Sequence, residues 1–191
     1  MNIFIDGTRC TFKSGTNISK LRKRYGGAYF PGPGTKAQIY DRVLGGAFGW
    51  GTDLIVEQAY EFYLNARVPG VKVNIFGFSR GAAAARKLAQ EICEDGDNVD
   101  FLGCFDTVSA LGVPLWFWPF TKYDDYFVNT RVHPRVIRAA HAMALDDPRP
   151  HFTPTPMDKR DGVKQLLFLG DHWDIGAGEE TFNWMVNSFE S

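Results

Sequence analysis

The sequence has few cysteines, no strong excess of either charge and no cluster of metal-ligating side chains. Its three cysteines, Cys10, Cys93 and Cys104, are odd in number and widely spaced, which argues against a disulfide framework and a zinc site. The formal net charge is -1, so composition does not favour binding to nucleic acid. We therefore predict no metal, no other cofactor and no nucleic-acid partner.

Long hydrophobic runs are also missing. No apolar stretch approaches the roughly 18 residues that a membrane-spanning helix needs. The first residues, Met1 to Asp6, lack the basic region and apolar run of a cleaved signal peptide. These features predict a soluble cytoplasmic protein, and export without a cleaved signal is compatible with them. The 191 residues, of which 45% are hydrophobic, suit a single domain over 1–191.

Apolar runs of strand length alternate with segments of helical periodicity. This alternation predicts an α/β fold, a three-layer sandwich with a mostly parallel central sheet and right-handed crossovers. Predicted strands cover 2–5, 71–76, 101–105 and 165–169, and predicted helices cover 17–25, 52–67, 80–93, 134–144 and 181–189. The Gly-rich segments 26–34 and 45–51 are predicted loops, and Asn17 is the predicted N-cap of the first helix.

The strongest local signal is Gly77-Phe78-Ser79-Arg80-Gly81, which has the Gly-x-Ser-x-Gly pattern of a nucleophile elbow. A predicted strand leads into this pattern and a predicted helix follows it, as the elbow requires. Glycine at both flanks permits so tight a turn, because bulkier side chains would collide there. The pattern predicts Ser79 as a nucleophile, although a serine in a Gly-rich turn can also serve only as a helix cap.

Serine is a weak nucleophile and needs a base to accept its proton. In α/β hydrolases the chain order is nucleophile, acid and then histidine, which favours His172 after the last predicted strand. His141, predicted inside an alanine-rich helix, is the alternative base. His133 and His151 lie in polar loops and are predicted to be solvated.

Asp106 is the candidate acid, because it ends the predicted strand that follows the elbow. A carboxylate at the carboxyl end of a core strand faces the active edge of such a sheet. Aspartate also caps turns, which is the alternative role for Asp106. Asp146 and Asp174 are the alternative acids, and Asp174 is better suited to ordering the loop around His172.

A hydrolase of this type also needs two donors for the developing oxyanion. The backbone amide of Arg80, directly after the nucleophile, is the first candidate. The second is the amide of Gly7 or Thr8, in the loop after the first predicted strand. Asp6 can only accept hydrogen bonds when ionised, so we expect it to organise this loop.

Four aromatic residues lie within the six-residue segment Leu115–Phe120. An exposed patch of this kind suits a lipid substrate or a peripheral membrane contact. We predict substrate-binding roles for Trp116, Phe117 and Trp118 in a flap over the site. Aromatic packing inside the domain and a dimer contact are the alternatives.

Taken together, these motifs resemble the α/β-hydrolase domain family of uncharacterised proteins (a domain of unknown function) that includes phospholipase effectors of bacterial type VI secretion. The elbow pattern is specific by itself. The other segments strengthen the resemblance because they follow the family's order over most of the chain. The segments that carry the resemblance are 4–8, 16–17, 45–51, 77–82, 105–108, 111–112, 141–147 with Arg149, and 170–178.

The resemblance implies that Ser79 is the nucleophile and that Asp106 and His172 complete a triad. Trp173 stands where the family usually has serine, and we expect it to contact the substrate. The implied activity is hydrolysis of a carboxylic ester, of lipase, phospholipase or esterase type, through an acyl-enzyme. A thioesterase or acyltransferase would use the same residues, and a catalytically inactive binding protein would keep the fold and use the aromatic segment.

Overall fold

A computed structural model describes residues 1–35, 50–108, 131–149 and 154–191. Six parallel strands form one sheet in the order β2-β1-β3-β4-β5-β6. The strands are β1 (Asn2–Ile5), β2 (Ala28–Phe30), β3 (Asn74–Phe78), β4 (Val99–Phe105), β5 (Val136–Ala144) and β6 (Val163–Phe168). The helices are α1 (Asn17–Tyr25), α2 (Trp50–Ala66), α3 (Arg80–Glu94), α4 (His172–Ala177) and α5 (Glu179–Glu190), and a 3-10 turn covers Phe12–Ser14.

The two faces of the sheet carry different side chains. On one face, aliphatic residues such as Ile75 and Leu102 pack against α2 and α3. On the other, aromatic residues such as Phe76 and Phe101 pack against α1, α4 and α5. The strands β1, β3 and β4 are buried on both faces, which explains why their sequences are continuous apolar runs. The predicted three-layer α/β sandwich with a parallel sheet is therefore confirmed.

The predicted helix over 134–144 is wrong, because this segment forms β5, a strand between β4 and β6. Its alanines, Ala139, Ala140 and Ala142, are buried on the two faces of the sheet. Alanine favours helices when it is isolated from context, but here it fits between bulky neighbours such as Phe101 and Met185. Tertiary packing thus overrides the local helical propensity.

Smaller differences affect the element ends. Part of the predicted loop 26–34 forms the short strand β2, which pairs with β1 from Ala28 to Phe30. The N-cap of α1 is Thr16, whose side chain accepts a hydrogen bond from Ser19 N, and not Asn17. Helix α2 begins before the predicted start at residue 52, and β3 extends to Phe78, directly before the elbow serine.

The sheet order places a topological switch between β1 and β3. The chain leaves β1 towards β2 on one side and leaves β3 towards β4 on the other. The loops at the carboxyl ends of β1 and β3 therefore diverge, and the crevice between them is where ligands bind in open parallel sheets. None of the helices within the described ranges has the length and apolar character to cross a membrane.

Candidate active site

Ser79 lies in a sharp turn between β3 and α3. Its φ of 58° is left-handed, a conformation that is rare for a residue other than glycine and is typical of a strained functional position. The flanking glycines allow the turn: a Cβ on Gly77 would come within 2.4 Å of the Gly81 oxygen, and one on Gly81 within 2.3 Å of the Asp6 oxygen. The chain therefore needs glycine at both positions to present the Ser79 hydroxyl at the sheet edge.

A continuous chain of hydrogen bonds joins the three sequence-predicted candidates. The Ser79 Oγ lies 2.8 Å from His172 Nε2, and His172 Nδ1 lies 2.6 Å from Asp106 Oδ2. Ser79 and His172 are only 5% and 6% exposed, and Asp106 is fully buried. This arrangement can move a proton from the serine hydroxyl to the imidazole while the carboxylate holds the ring in place.

Three contacts with β5 and its end hold Asp106. Its amide donates to Ala142 O and its Oδ1 accepts from Ala144 N, each over 2.7 Å. The amide of the next residue, Thr107, donates to His141 Nε2 over 3.1 Å. The φ of Asp106 is 42°, so the chain turns sharply here and these contacts offset the backbone strain. Oδ2 is thereby directed to His172.

His172 begins α4, and this short helix is ordered by its own cap. The Asp171 side chain accepts from Trp173 N and Asp174 N, and Asp174 Oδ2 accepts from Asp171 N. Asp147 Oδ2 accepts from the His172 amide over 3.0 Å. The backbone of the histidine is thus fixed on two sides.

A buried asparagine that the sequence predicts as a helix N-cap supports the same helix. The Asn17 Nδ2 donates to Ile175 O, Gly178 O and Thr181 Oγ1 over 3.0–3.1 Å. It thereby connects the start of α1 to the end of α4. Its partners lie 158 to 164 residues away in the chain, so residue spacing and periodicity could not predict these hydrogen bonds.

The alternative candidates lie elsewhere. Asp174 orders the α4 loop, and Asp146 is exposed, with its amide directed to Gly170 O. His133 Nδ1 accepts from Arg135 N in a partly exposed turn. His151 lies outside the described residues.

His141 is fully buried on β5, beneath the site and not in a helix. Burial, and then the charge of Arg86, lower the pKa of His141 to about 3. The Thr107 amide donates to its Nε2, so the neutral ring carries its proton on Nδ1. A neutral, fully buried imidazole whose Nε2 is engaged by the Thr107 amide suits a structural role.

We expect His141 to make stability depend on pH. Its folded pKa lies below the unfolded value near 6.5, so the stabilisation is complete above pH 6.5 and is lost as the pH falls. This histidine alone should lower the free energy of unfolding by about 2 kcal/mol when the pH falls from 7 to 5. Denaturant unfolding of wild type and His141→Gln at both pH values measures the effect. Equal pH dependence in the two proteins would contradict it.

The hydrogen bonds distinguish the two loop amides that are candidate oxyanion donors. The Gly7 amide already donates to Asp6 Oδ1 over 2.8 Å. Within the described part of the chain, the amides of Thr8 and Arg80 have no acceptor. Thr8 and Arg80 are also joined directly, because the Arg80 Nε donates to the Thr8 hydroxyl. Thr8 is thus the better second donor, and Gly7 is occupied.

Asp6 organises the loop after β1. Its Oδ2 accepts from the hydroxyls of Thr16 and Tyr29, and its Oδ1 accepts from Gly7 N. Burial raises the pKa of the Asp6 carboxyl, and these three hydrogen bonds limit the rise. The loop is consequently held by α1 and β2 as well as by β1.

Aromatic rings line the site beside His172. Phe78 stacks on the His172 ring with centroids 4.8 Å apart, and Trp173 packs edge-on against Phe78 at 6.3 Å. Trp173 is 48% exposed, so it forms part of the rim. Trp116, Phe117 and Trp118 lie outside the described residues. Within the ranges that the structure covers, no three His, Cys, Asp or Glu side chains are grouped as metal ligands.

Solved structures with the same fold include two that are much longer than this chain. An uncharacterized protein from Pseudomonas aeruginosa has a TM-score of 0.61 and 16% identity over 99% of this chain and 45% of its own. The Tle1 effector bound to the VgrG spike of the type VI secretion system has a TM-score of 0.54 and 20% identity over 92% and 50%. The chain therefore spans about half the length of these two proteins.

A third structure has a similar size. It comes from Xanthomonas campestris pv. campestris and is provisionally described as a hydrolase of the α/β superfamily. Its TM-score is 0.57, and it shares 16% identity with this protein over 98% of each chain. These likenesses establish an α/β-hydrolase fold.

No curated protein matches the chain. The family model for the catalytic domain of the Tle1-like phospholipase effectors of type VI secretion matches residues 1–97 and 89–188, and the chain belongs to this family.

Proposed function

We propose that this protein is a serine hydrolase that cleaves a carboxylic ester through an acyl-enzyme on Ser79. The observation that carries the proposal is the hydrogen-bonded chain from Ser79 Oγ through His172 to Asp106, with distances of 2.8 and 2.6 Å. Membership of a phospholipase effector family supports hydrolase chemistry and favours a lipid ester.

In the first half-reaction, Ser79 Oγ attacks the ester carbonyl and His172 Nε2 accepts the serine proton. Asp106 Oδ2 stabilises the imidazolium that forms and keeps Nδ1 protonated. The amides of Arg80 and Thr8 stabilise the tetrahedral oxyanion. His172 then donates the proton to the departing alcohol, which leaves the acyl group on Ser79.

In the second half-reaction, His172 accepts a proton from water, and the resulting hydroxide attacks the acyl-Ser79 carbonyl. The same two amides hold the second oxyanion. Collapse of this intermediate releases the carboxylic acid, and Ser79 recovers its proton from His172. The imidazole of His172 accepts and then returns each proton that is transferred, so the reaction requires no cofactor.

The acyl chain would lie along the aromatic rim beside His172. Phe78 and the half-exposed Trp173 offer an apolar surface next to the nucleophile. Trp116, Phe117 and Trp118 would extend this surface if the aromatic segment folds over the site. A lipid ester presented by a membrane surface is the substrate that fits such a rim.

The proposal is tested by turnover of p-nitrophenyl esters of increasing chain length, beside phosphatidylcholine vesicles and an acyl-CoA thioester. We expect ester hydrolysis, with a transient acyl adduct on the Ser79 peptide in mass spectrometry. Faster cleavage of the thioester, or transfer to an added alcohol in preference to water, would replace the esterase assignment by thioesterase or acyltransferase. The absence of any turnover and adduct would favour a binding protein.

A further inference from the structure

The two amides that we propose as oxyanion donors belong to different segments of the chain. Thr8 lies in the loop after β1, and Arg80 begins α3 directly after the nucleophile. Donors stabilise an oxyanion best when they are fixed in advance, because moving them into place costs part of the stabilisation. The reaction therefore depends on how the loop after β1 is held against the elbow.

The loop after β1, residues 6–11, is attached to the rest of the chain mainly on its β2 side. The amide of Arg9 donates to Pro33 O over 2.9 Å, and the amide of Gly32 donates to Cys10 O over 3.0 Å. Strand β1 lies between β2 and β3 in the sheet. These contacts therefore hold the side of the loop that is opposite to β3 and the elbow.

On the side of the elbow, the contacts of the loop are different. Among the described residues, one hydrogen bond joins the loop to residues 77–81, and in it the Arg80 Nε donates to the Thr8 hydroxyl. The other contact is close packing, since a Cβ on Gly7 would come within 2.7 Å of Phe78 Cδ1. Packing sets how closely the two segments approach, whereas a hydrogen bond also fixes their orientation, because it weakens steeply when it is misaligned.

We propose that the Arg80 side chain is a positioning residue, which through the Thr8 hydroxyl holds the Thr8 amide in place beside the Arg80 amide. Arg80 then has two roles, because its amide stabilises the oxyanion and its guanidinium fixes the second donor. The guanidinium suits this role, since it is half-buried and charged donors form the stronger hydrogen bonds. This inference rests on the proposed ester hydrolysis and adds the contact that keeps its two oxyanion donors together.

An alternative role for the guanidinium is to stabilise the oxyanion by its positive charge alone. The two roles differ in what the Thr8 hydroxyl contributes. Thr8→Val removes this hydroxyl but keeps the Thr8 amide, the shape of the side chain and the charge of Arg80. A positioning role predicts that this variant loses turnover, whereas a pure charge effect predicts a loss in Arg80→Met only.

A double-mutant cycle with Thr8→Val and Arg80→Met tests the contact on p-nitrophenyl butyrate. We expect each single variant to lower kcat and kcat/KM together, by about tenfold to hundredfold, because the donors act in the transition state. The double variant should lose no more than the more affected single variant, since both changes break the same hydrogen bond. Losses that multiply in the double variant, or a loss confined to Arg80→Met, would overturn the proposal.

Two inhibitors provide a measurement that general damage to the fold would not reproduce. Propylboronic acid forms a tetrahedral adduct on the Ser79 oxygen and so resembles the transition state, whereas butyrate is the product and has no such geometry. Thr8→Val and Arg80→Met should weaken propylboronic acid by about the same factor as kcat/KM and leave butyrate binding unchanged. Equal weakening of both inhibitors would assign the contact to folding of the site and overturn the positioning role.

Matched variants control for the substitutions themselves. Thr8→Ser keeps a hydroxyl and should recover most of the turnover that Thr8→Val loses. Arg67→Met makes the arginine replacement at an exposed ion pair with Asp97 and should leave kcat unchanged. Failure of Thr8→Ser to recover turnover would contradict a role for the hydroxyl.

A measurement without substrate separates this inference from the proposed function. Exchange of the Arg80 Nε proton with water, followed by nuclear magnetic resonance on the full chain, reports the hydrogen bond itself. We expect slow exchange in wild type and faster exchange in Thr8→Val. Faster exchange in Thr8→Val with undiminished turnover would overturn the positioning role alone. Slow exchange in wild type without turnover of any ester would refute the hydrolase, and with it the role of Arg80.

Discussion

Replacing Ser79 with alanine should abolish labelling by a fluorophosphonate probe and lower ester turnover by about 10⁴-fold to 10⁶-fold. The probe reacts with a serine only when a base activates its hydroxyl, and His172 Nε2 lies 2.8 Å from Ser79 Oγ. At this left-handed position, alanine and serine tolerate the backbone conformation about equally well. The loss is therefore expected without a change in melting temperature.

Ser191→Ala is the matched control for this experiment. Ser191 is the last residue of the chain, and its hydroxyl contacts the end of α5 and not the site. This variant should label and turn over substrate as wild type does. Persistent labelling in Ser79→Ala would show that another serine is the activated one and would remove the nucleophile from the elbow.

Replacing His172 with alanine should lower turnover by a similar factor, because no other base is within reach of Ser79 in the described residues. His141 offers the contrast, since it lies on β5 with its Nε2 engaged by Thr107. His141→Ala should mainly reduce the free energy of unfolding, by about 2–4 kcal/mol through loss of buried packing and an unpaired amide. Steady-state kinetics and denaturant unfolding of the two variants separate these effects.

Small-molecule rescue makes the comparison more specific. Added imidazole can occupy the space left by His172→Ala and restore part of the turnover, whereas it should not repair a folding defect in His141→Ala. The reverse pattern, with large kinetic loss in His141→Ala and stability loss in His172→Ala, would transfer the base role to His141.

The proximity of Ser79, Asp106 and His172 could be predicted from sequence because each of them follows a strand, in the chain order of α/β hydrolases. In a parallel sheet all carboxyl strand ends lie on one edge, so residues directly after strands come together. The same reasoning led to the loop after β1 but could not choose between Gly7 and Thr8. That choice depends on Asp6 Oδ1, which engages one amide and leaves the other available.

β5 was mispredicted as a helix because its alanines have high helical propensity and its neighbours in space are far away in sequence. The error also misplaced His141, whose contact with Thr107 crosses from one strand to the next. The hydrogen bonds from Asn17 to Ile175 O and Gly178 O could not be predicted for the same reason. Each case depends on contacts between distant segments, which periodicity and spacing do not encode.

The amino-acid sequence alone determined that the protein has alternating strands and helices and one serine at a glycine-flanked corner, since short-range sterics and periodicity dictate both. Only the tertiary structure decided which loop amide is already engaged by Asp6 and which histidine contacts Ser79. These properties depend on contact distances between residues from separate strands and helices, and packing of the whole sheet sets such distances.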